Sequence, residues 1–310
     1  MKHEPTVSVI IPTYNRAHLI GRAIQSVLNQ TYQDFEIVII DDGSTDNTEE
    51  VVKGFSYDRL RHIQLSEKPG QCVARNTGLK AAKGEYIAVL DDDDSWLDEE
   101  KLKKQIEFLD AHPDYVLVGT NSVVVDGNGS ELARGSLPEK DDEIRGKLLE
   151  QNCFVHSSVM YRKSAVMIFG GYSPVKGTPN CNDYELWLQL GTVGKFANLP
   201  IYGVNYTIWS GNISIWLGNI SAKNLLTLRL NDLKLTSKYK NEYPNYRRAI
   251  NSRYVAVFNA LFHVISDLPP FSGLKRFLKS RCPACWQAIK FSHEVTLQSI
   301  PYILNKLHKG

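Results

Sequence analysis

Cysteine is scarce in this chain, with five in 310 residues: Cys72, Cys153, Cys181, Cys282 and Cys285. The number is odd and the spacing mostly scattered, so a secreted disulfide framework is excluded and a reducing compartment is expected. Cys282 and Cys285 have the spacing of half a zinc site, but no second Cys/His pair stands at zinc-finger distance. The opening residues, Met1-Lys2-His3-Glu4-Pro5, lack the charged-then-apolar build of a secretory signal, so export is not expected. The long uncharged stretch 196–222 holds Asn198, Asn205, Asn212 and Asn219 with Pro200 and several glycines, which suits strands and loops rather than a membrane span. Two common phosphate devices are also missing. Pro12-Thr13-Tyr14-Asn15-Arg16 stands where a glycine-rich dinucleotide loop would follow the first strand, and no Gly-Lys-Ser/Thr loop occurs.

What is present is acid at the ends of apolar runs. Asp91 to Asp94 follow Tyr86-Ile87-Ala88-Val89-Leu90, and Asp41-Asp42 follow Glu36-Ile37-Val38-Ile39-Ile40. Crowded carboxylates raise one another's pKa, and a divalent cation keeps several of them ionised. Hard oxygen donors select Mg²⁺ or Mn²⁺, bridging to a ligand's phosphates. Ligands of open α/β sheets bind beyond the carboxyl ends of the strands, which is where both clusters fall. An acidic run is also the usual first turn of a helix, and Asp98-Glu99-Glu100 reads that way.

Periodicity supports an α/β sheet. Strands are predicted over 7–11, 34–40, 61–65 and 86–90, alternating with helices that carry Leu19, Ile20, Ala23, Ile24, Val27 and Leu28, then Val51 and Val52, then Cys72 to Lys83 with Gly84 as the stop. Such alternation makes a mainly parallel sheet. Charge divides the chain: residues 1–222 hold 21 Lys and Arg against 30 Asp and Glu, whereas 223–310 hold 15 against 4. A catalytic domain over 1–222 and a basic, mainly helical extension over 223–310 are therefore expected. The extension has helical spacing at Tyr254, Val255, Phe258, Leu261, Phe262 and Ile265, and again from Leu274 to Arg281. It fits either a cap on the catalytic domain or an anionic membrane surface. No nucleic-acid-binding module accompanies the charge.

Several segments, in order, resemble the motifs of the family-2 inverting glycosyltransferases: Val7 to Arg16, Ser26 to Thr31, Ile39 to Asp46, Ala74 to Leu79, Lys83 to Ile87 and Leu90 to Asp94. The resemblance is close over about the first 125 residues and looser to about 215. It implies a GT-A fold, a nucleotide-diphosphate-sugar donor (commonly a UDP-sugar) and Mn²⁺ or Mg²⁺. By position it places Pro12 and Tyr14 in the base pocket, Asp42 on the uracil or ribose, and Arg75 near the base and phosphates. Asp92 would face the donor ribose or sugar, and Asp91 and Asp93 would form the Asp-x-Asp, with Asp93 the foremost metal ligand.

Inverting transfer needs a base for the acceptor hydroxyl on the face opposite the leaving diphosphate. Cys181-Asn182-Asp183-Tyr184-Glu185 resembles the family's Glu-Asp motif and puts Asp183 in that role, with Asn182 replacing the usual Glu. A helix cap is the structural alternative for Asp183. Thr207 and Trp209 stand where relatives often carry Arg and His, which leaves the leaving group to the metal and Arg75 or to other basic residues. The resemblance therefore implies sugar transfer to a glycan or lipid-linked acceptor, in bacterial surface polysaccharide assembly, by a cytoplasmic protein peripheral to the membrane. A non-catalytic nucleotide-sugar-binding relative and a nucleotidyltransferase are the competing readings.

Overall fold

The computed structural model describes residues 3–66, 68–174, 181–209 and 222–266. Cys282, Cys285, the segment 274–281 and the Gly-Asn-Ile-Ser echo at 211–214 and 218–221 lie outside them. The chain forms two compact units, Met1–Ile208 and Trp209–Gly310.

In the first unit, β1 (Val7–Thr13) and β2 (Phe35–Asp41) are buried at every position. Strands covered on both faces read as continuous apolar runs, and β1 is the centre of a parallel group with β2 on one side and β4 (Tyr86–Val89) on the other. β3 (Leu60–Gln64) extends this group in parallel beside β2. Helix α1 (Ile20–Leu28) buries Ile20, Ala23, Ile24 and Val27, one face at helical spacing, as the sequence predicts. Helices α2 (Thr48–Lys53) and α3 (Gln71–Ala81) complete the crossovers.

Helix α3 stops at Ala81, two residues before the predicted end. The backbone N–H groups of Lys83 and Gly84 donate to Ser8 Oγ at 3.0 and 2.8 Å, and Lys83 N–H also donates to Glu36 Oε1 at 2.7 Å. These bonds turn the chain under β1. Any Cβ on Gly84 would come 2.5 Å from the Ser8 backbone nitrogen, so the turn requires glycine.

The second half of the unit adds β5 (Ser95–Trp96), α4 (Lys101–Ala111), β6 (Tyr115–Asp126), β7 (Glu131–Gly135), α5 (Asp141–Leu148), β8 (Met160–Arg162), α6 (Lys163–Met167) and β11 (Lys195–Ile208). The sheet order is β3-β2-β1-β4-β8-β6-β11-β5, with β7 paired to β6. β6 and β11 are parallel, while β8 runs antiparallel between β4 and β6. The reversal at β8 positions the site: the residues leading into β8 arrive at the carboxyl end of β4, beside the aspartates. A separate small pair, β9 (Ser173–Pro174) with β10 (Cys181–Asn182), precedes α7 (Asp183–Leu190). The sheet, mostly parallel with helices on both faces, is a GT-A fold.

In the second unit, helices Ala222–Lys238 and Tyr246–Ser266 pack together. Arg229 and Arg253 share Asp232, at 3.3 and 3.5 Å.

Candidate active site

Pro12, Tyr14, Asp42 and Asp91 to Asp94 all lie at the carboxyl ends of β1, β2 and β4, where the register aligns Thr13 with Asp41. The Asp42 N–H donates to Thr13 O at 2.8 Å, closing the gap between the two strand ends. Asp41 is wholly buried. It accepts from Ser44 N–H at 2.7 Å and faces His62 Nε2 at 3.4 Å, so it serves the turn rather than a ligand.

Asp42 accepts from Gly70 N–H at 3.2 Å, and Gly70 holds φ at 99°, a conformation open to glycine. Burial pushes the Asp42 carboxyl up, and the neighbouring Asp41 adds to this, while Gly70 and Lys68 oppose it. Lys68 Nζ lies 3.6 Å from the centre of the Tyr14 ring. A ring, a carboxylate and a cation therefore converge beside the ends of β1 and β2.

The acidic loop is divided in chemistry. Burial alone would raise the Asp91 carboxyl, but His156 and Arg75 outweigh it and hold the group well below the usual carboxylate range. Arg75 Nη2 donates to Asp91 Oδ1 at 2.9 Å, and His156 Nδ1 lies 3.3 Å from Oδ2. Asp92 goes the other way: burial, and then the charge of Asp93, push it up to about 7 against the opposing charge of Arg16. Asp94 is fully buried and raised well above the usual range, by burial first and then by Asp93 and Asp91. Its carboxyl accepts from Ser157 Oγ and from Thr207 N–H, the latter at 2.8 Å.

Sequence reasoning missed four of these partners. His156, Ser157 and Arg22 reach the loop, and Tyr172 reaches His156, only through tertiary topology. Ser157 Oγ also accepts from Asp91 N–H at 3.1 Å, and Trp96 Nε1 donates to Ser157 O at 2.9 Å. Arg22 Nη2 donates to Asp93 O at 2.6 Å and to Thr207 Oγ1 at 2.9 Å. Thr207 is thus a structural member of the loop's support. The one available signal was the polar His156-Ser157-Ser158 triplet interrupting an apolar run from Phe154 to Tyr161.

Tyr172 joins this site to the corner that carries Asp183. Its hydroxyl lies 3.1 Å from His156 Nε2, its N–H donates to Asn76 Oδ1 at 2.8 Å, and Asn76 Nδ2 donates back to its carbonyl at 2.9 Å. β9 begins one residue later and pairs with β10, and Asp183 follows at the first position of α7. There Asp183 Oδ1 accepts the Tyr184 N–H at 2.8 Å, where the helix's positive end favours a carboxylate. α7 anchors itself with buried Leu186, Trp187, Leu188 and Leu190.

The profile of glycosyl transferase family 2 matches residues 8–168, which span β1 through β8 and the whole acidic loop. The chain belongs to glycosyl transferase family 2. As a glycosyltransferase it aligns with EpsE of Bacillus subtilis (strain 168), 35% identical over 194 residues, covering 61% of this chain and 68% of EpsE. It aligns with the Escherichia coli UDP-Glc:alpha-D-GlcNAc-diphosphoundecaprenol beta-1,3-glucosyltransferase WfgD, 40% identical over 184 residues, covering 59% of this chain and 69% of WfgD. Among solved structures, S. aureus TarS 1-349 in complex with UDP-GlcNAc shares the fold at a TM-score of 0.61 and 20% identity, over 93% of this chain and 80% of that one. The mannosyltransferase PcManGT from Pyrobaculum calidifontis, in complex with GDP-Man and Mn²⁺, does so at 0.61 and 17%, over 97% and 83%.

Proposed function

We propose that this glycosyltransferase inverts the anomeric centre, moving a sugar from a UDP-sugar to a hydroxyl of a lipid-linked or glycan acceptor during surface polysaccharide assembly. The observation that carries this reading is the crowding at the end of β4, where burial and Asp93 lift Asp92 to about 7 next to the Tyr14–Asp42 corner. Carboxylates raised by their neighbours fit a divalent cation, which would relieve the crowding. Among the described residues no three His, Cys, Asp or Glu side chains converge on one point. Mg²⁺ or Mn²⁺ can be held by one or two carboxylates together with a ligand's phosphates. Asp93 and Asp91 would hold it, Asp91 while tied to Arg75 and His156, and Asp92 would face the donor ribose or sugar. Bound there, the cation supplies charge neutralisation for the departing diphosphate.

The protein's own groups do the rest. Tyr14 stacks or hydrogen-bonds the base at the end of β1, Pro12 shapes the wall, and Asp42 accepts from the base or a ribose hydroxyl. Arg75 fixes the Asp91 edge of the donor pocket. Asp183 takes the proton of the acceptor hydroxyl, an oxygen base at the mouth of a helix whose orientation the β9–β10 pair sets. The uridine donor named in WfgD and the UDP-GlcNAc of TarS favour a UDP-sugar here, and the diphosphoundecaprenol acceptor in WfgD's name favours a lipid-linked one. A non-catalytic nucleotide-sugar-binding relative is the second reading, favoured by Thr207 binding Asp94 and Arg22 instead of supplying a cation.

Calorimetric titration with UDP, GDP, CDP and ADP, each with and without Mn²⁺, tests the donor site. UDP is expected to bind with Mn²⁺, and Asp93→Ala to lose the metal-dependent part. Binding of none of the four, or unchanged Mn²⁺-dependent affinity in Asp93→Ala, overturns the assignment.

A further inference from the structure

The helix Tyr246–Ser266 has two unlike sides. One buries Ala249, Ile250, Arg253, Asn259 and Ala260, with Arg253 paired to Asp232 of the helix Ala222–Lys238. The other exposes Tyr254, Val255, Phe258 and Leu261, which are 58%, 47%, 62% and 41% accessible. These positions follow i, i+1, i+4 and i+7 and so form one stripe. Single exposed apolar side chains are ordinary, but four adjoining ones mark a surface that meets something. In sequence the same spacing continues to Phe262 and Ile265, whose side chains lie outside the described residues.

Charge identifies the partner. Arg247 and Arg248 are exposed at the N-terminal end of the same helix, and residues 246–266 contain no Asp or Glu. Two copies of this face brought together would supply no acid from the helix to either pair of arginines. An anionic lipid surface supplies the acid at the headgroups and an apolar layer beneath for the aromatic stripe. Among the described residues no helix is long and apolar enough to cross a membrane.

We propose that the Tyr254–Val255–Phe258–Leu261 stripe, with Arg247 and Arg248, is an interfacial docking surface for anionic phospholipid membranes. The surface requires no donor chemistry and stands whether or not the donor site binds UDP.

Flotation of the full-length chain with phosphatidylcholine vesicles, with and without phosphatidylglycerol, tests it. The wild-type protein is expected to float with the phosphatidylglycerol vesicles and to be released by added salt. Tyr254→Glu/Phe258→Glu is expected to lose flotation altogether. Arg247→Glu/Arg248→Glu is expected to weaken partitioning at least about 30-fold, as two basic residues at roughly 1 kcal/mol each require. Circular dichroism and the melting temperature of both variants establish that each is folded, and either variant alone suffices. Wild-type protein that does not float, or folded variants that float unchanged, overturns the proposal. So does light scattering that shows a wild-type dimer dissociated by Tyr254→Glu/Phe258→Glu, which would assign the stripe to a second copy.

Discussion

The two acidic corners of this glycosyltransferase are supported in opposite ways. The loop Asp91–Asp94 is held by α1 through Arg22, by α3 through Arg75, by the turn before β8 through His156 and Ser157, and by β11 through Thr207. Among the described residues Asp183 has a two-residue strand pair before it and the Tyr184 N–H after it, at the start of a helix anchored by its own buried side chains. Support from distant elements fixes a loop before any ligand arrives, whereas local support lets a side chain follow the segment that carries it. Under the proposed function the difference would suit a donor corner that holds a diphosphate rigidly and an acceptor corner that admits a second substrate.

Asp183→Asn is the sharpest way to separate the corners. Transfer is expected to fall about 10²–10⁴-fold, the usual contribution of a positioned base. UDP affinity should stay unchanged by calorimetry. An equal loss of UDP affinity would show that the two corners act as one unit.

Ser157→Ala tests the rigid corner. It removes the hydroxyl donor from the buried Asp94 carboxyl and the acceptor from Asp91 N–H. A loss of about 1–3 kcal/mol is expected by denaturant unfolding, because a buried polar group is left unsatisfied. An unchanged unfolding midpoint would mean the loop is held without Ser157.

A pH-dependent effect belongs to Lys101, the first residue of α4. Lys101 is fully buried, donates to Gln105 Oε1 at 2.7 Å, and stands 4.2 Å from the centre of the Trp96 ring. Burial brings its pKa down from 10.5 to about 7, against a small opposing pull from Asp98. Between those values the unfolded chain carries the proton and the folded one does not, so unfolding takes up a proton and stability rises with pH from about 7 toward 10. In Lys101→Met that rise should be absent. A parallel pH dependence in both proteins would show that Lys101 is not the group responsible.

Much of the rigid corner was legible in the sequence, and the reason is physical. Buried parallel strands must read as apolar runs, and Val7–Thr13 and Phe35–Asp41 do so. Carboxylates directly after such runs can only lie at strand ends, so Asp42 and Asp91–Asp94 were placeable without coordinates. The supports were not legible, because nothing local in Arg22, Ser157 or Tyr172 says which strand they meet. That information resides in β8 running antiparallel to β4, a topological choice without a period of its own. Helix α3 was read two residues too long because the Ser8 and Glu36 acceptors that end it come from β1 and β2. Thr207 and Asn182 read as departures from the family pattern, and the structure gives Thr207 a clear task while leaving Asn182 with a place in β10.

The Arg22–Thr207 bond joins residues 185 positions apart. During synthesis, then, the first helix emerges long before the strand that completes its contacts. A nascent chain carrying all of the family's N-terminal motifs still lacks the Thr207 contacts to Asp94 and Arg22 until β11 has left the ribosome. Fragments that end before β11 would keep the Arg22, Arg75, His156 and Ser157 contacts and lack the last one, so the support of Asp94 is completed only in chains that have been made nearly to the end of the first unit.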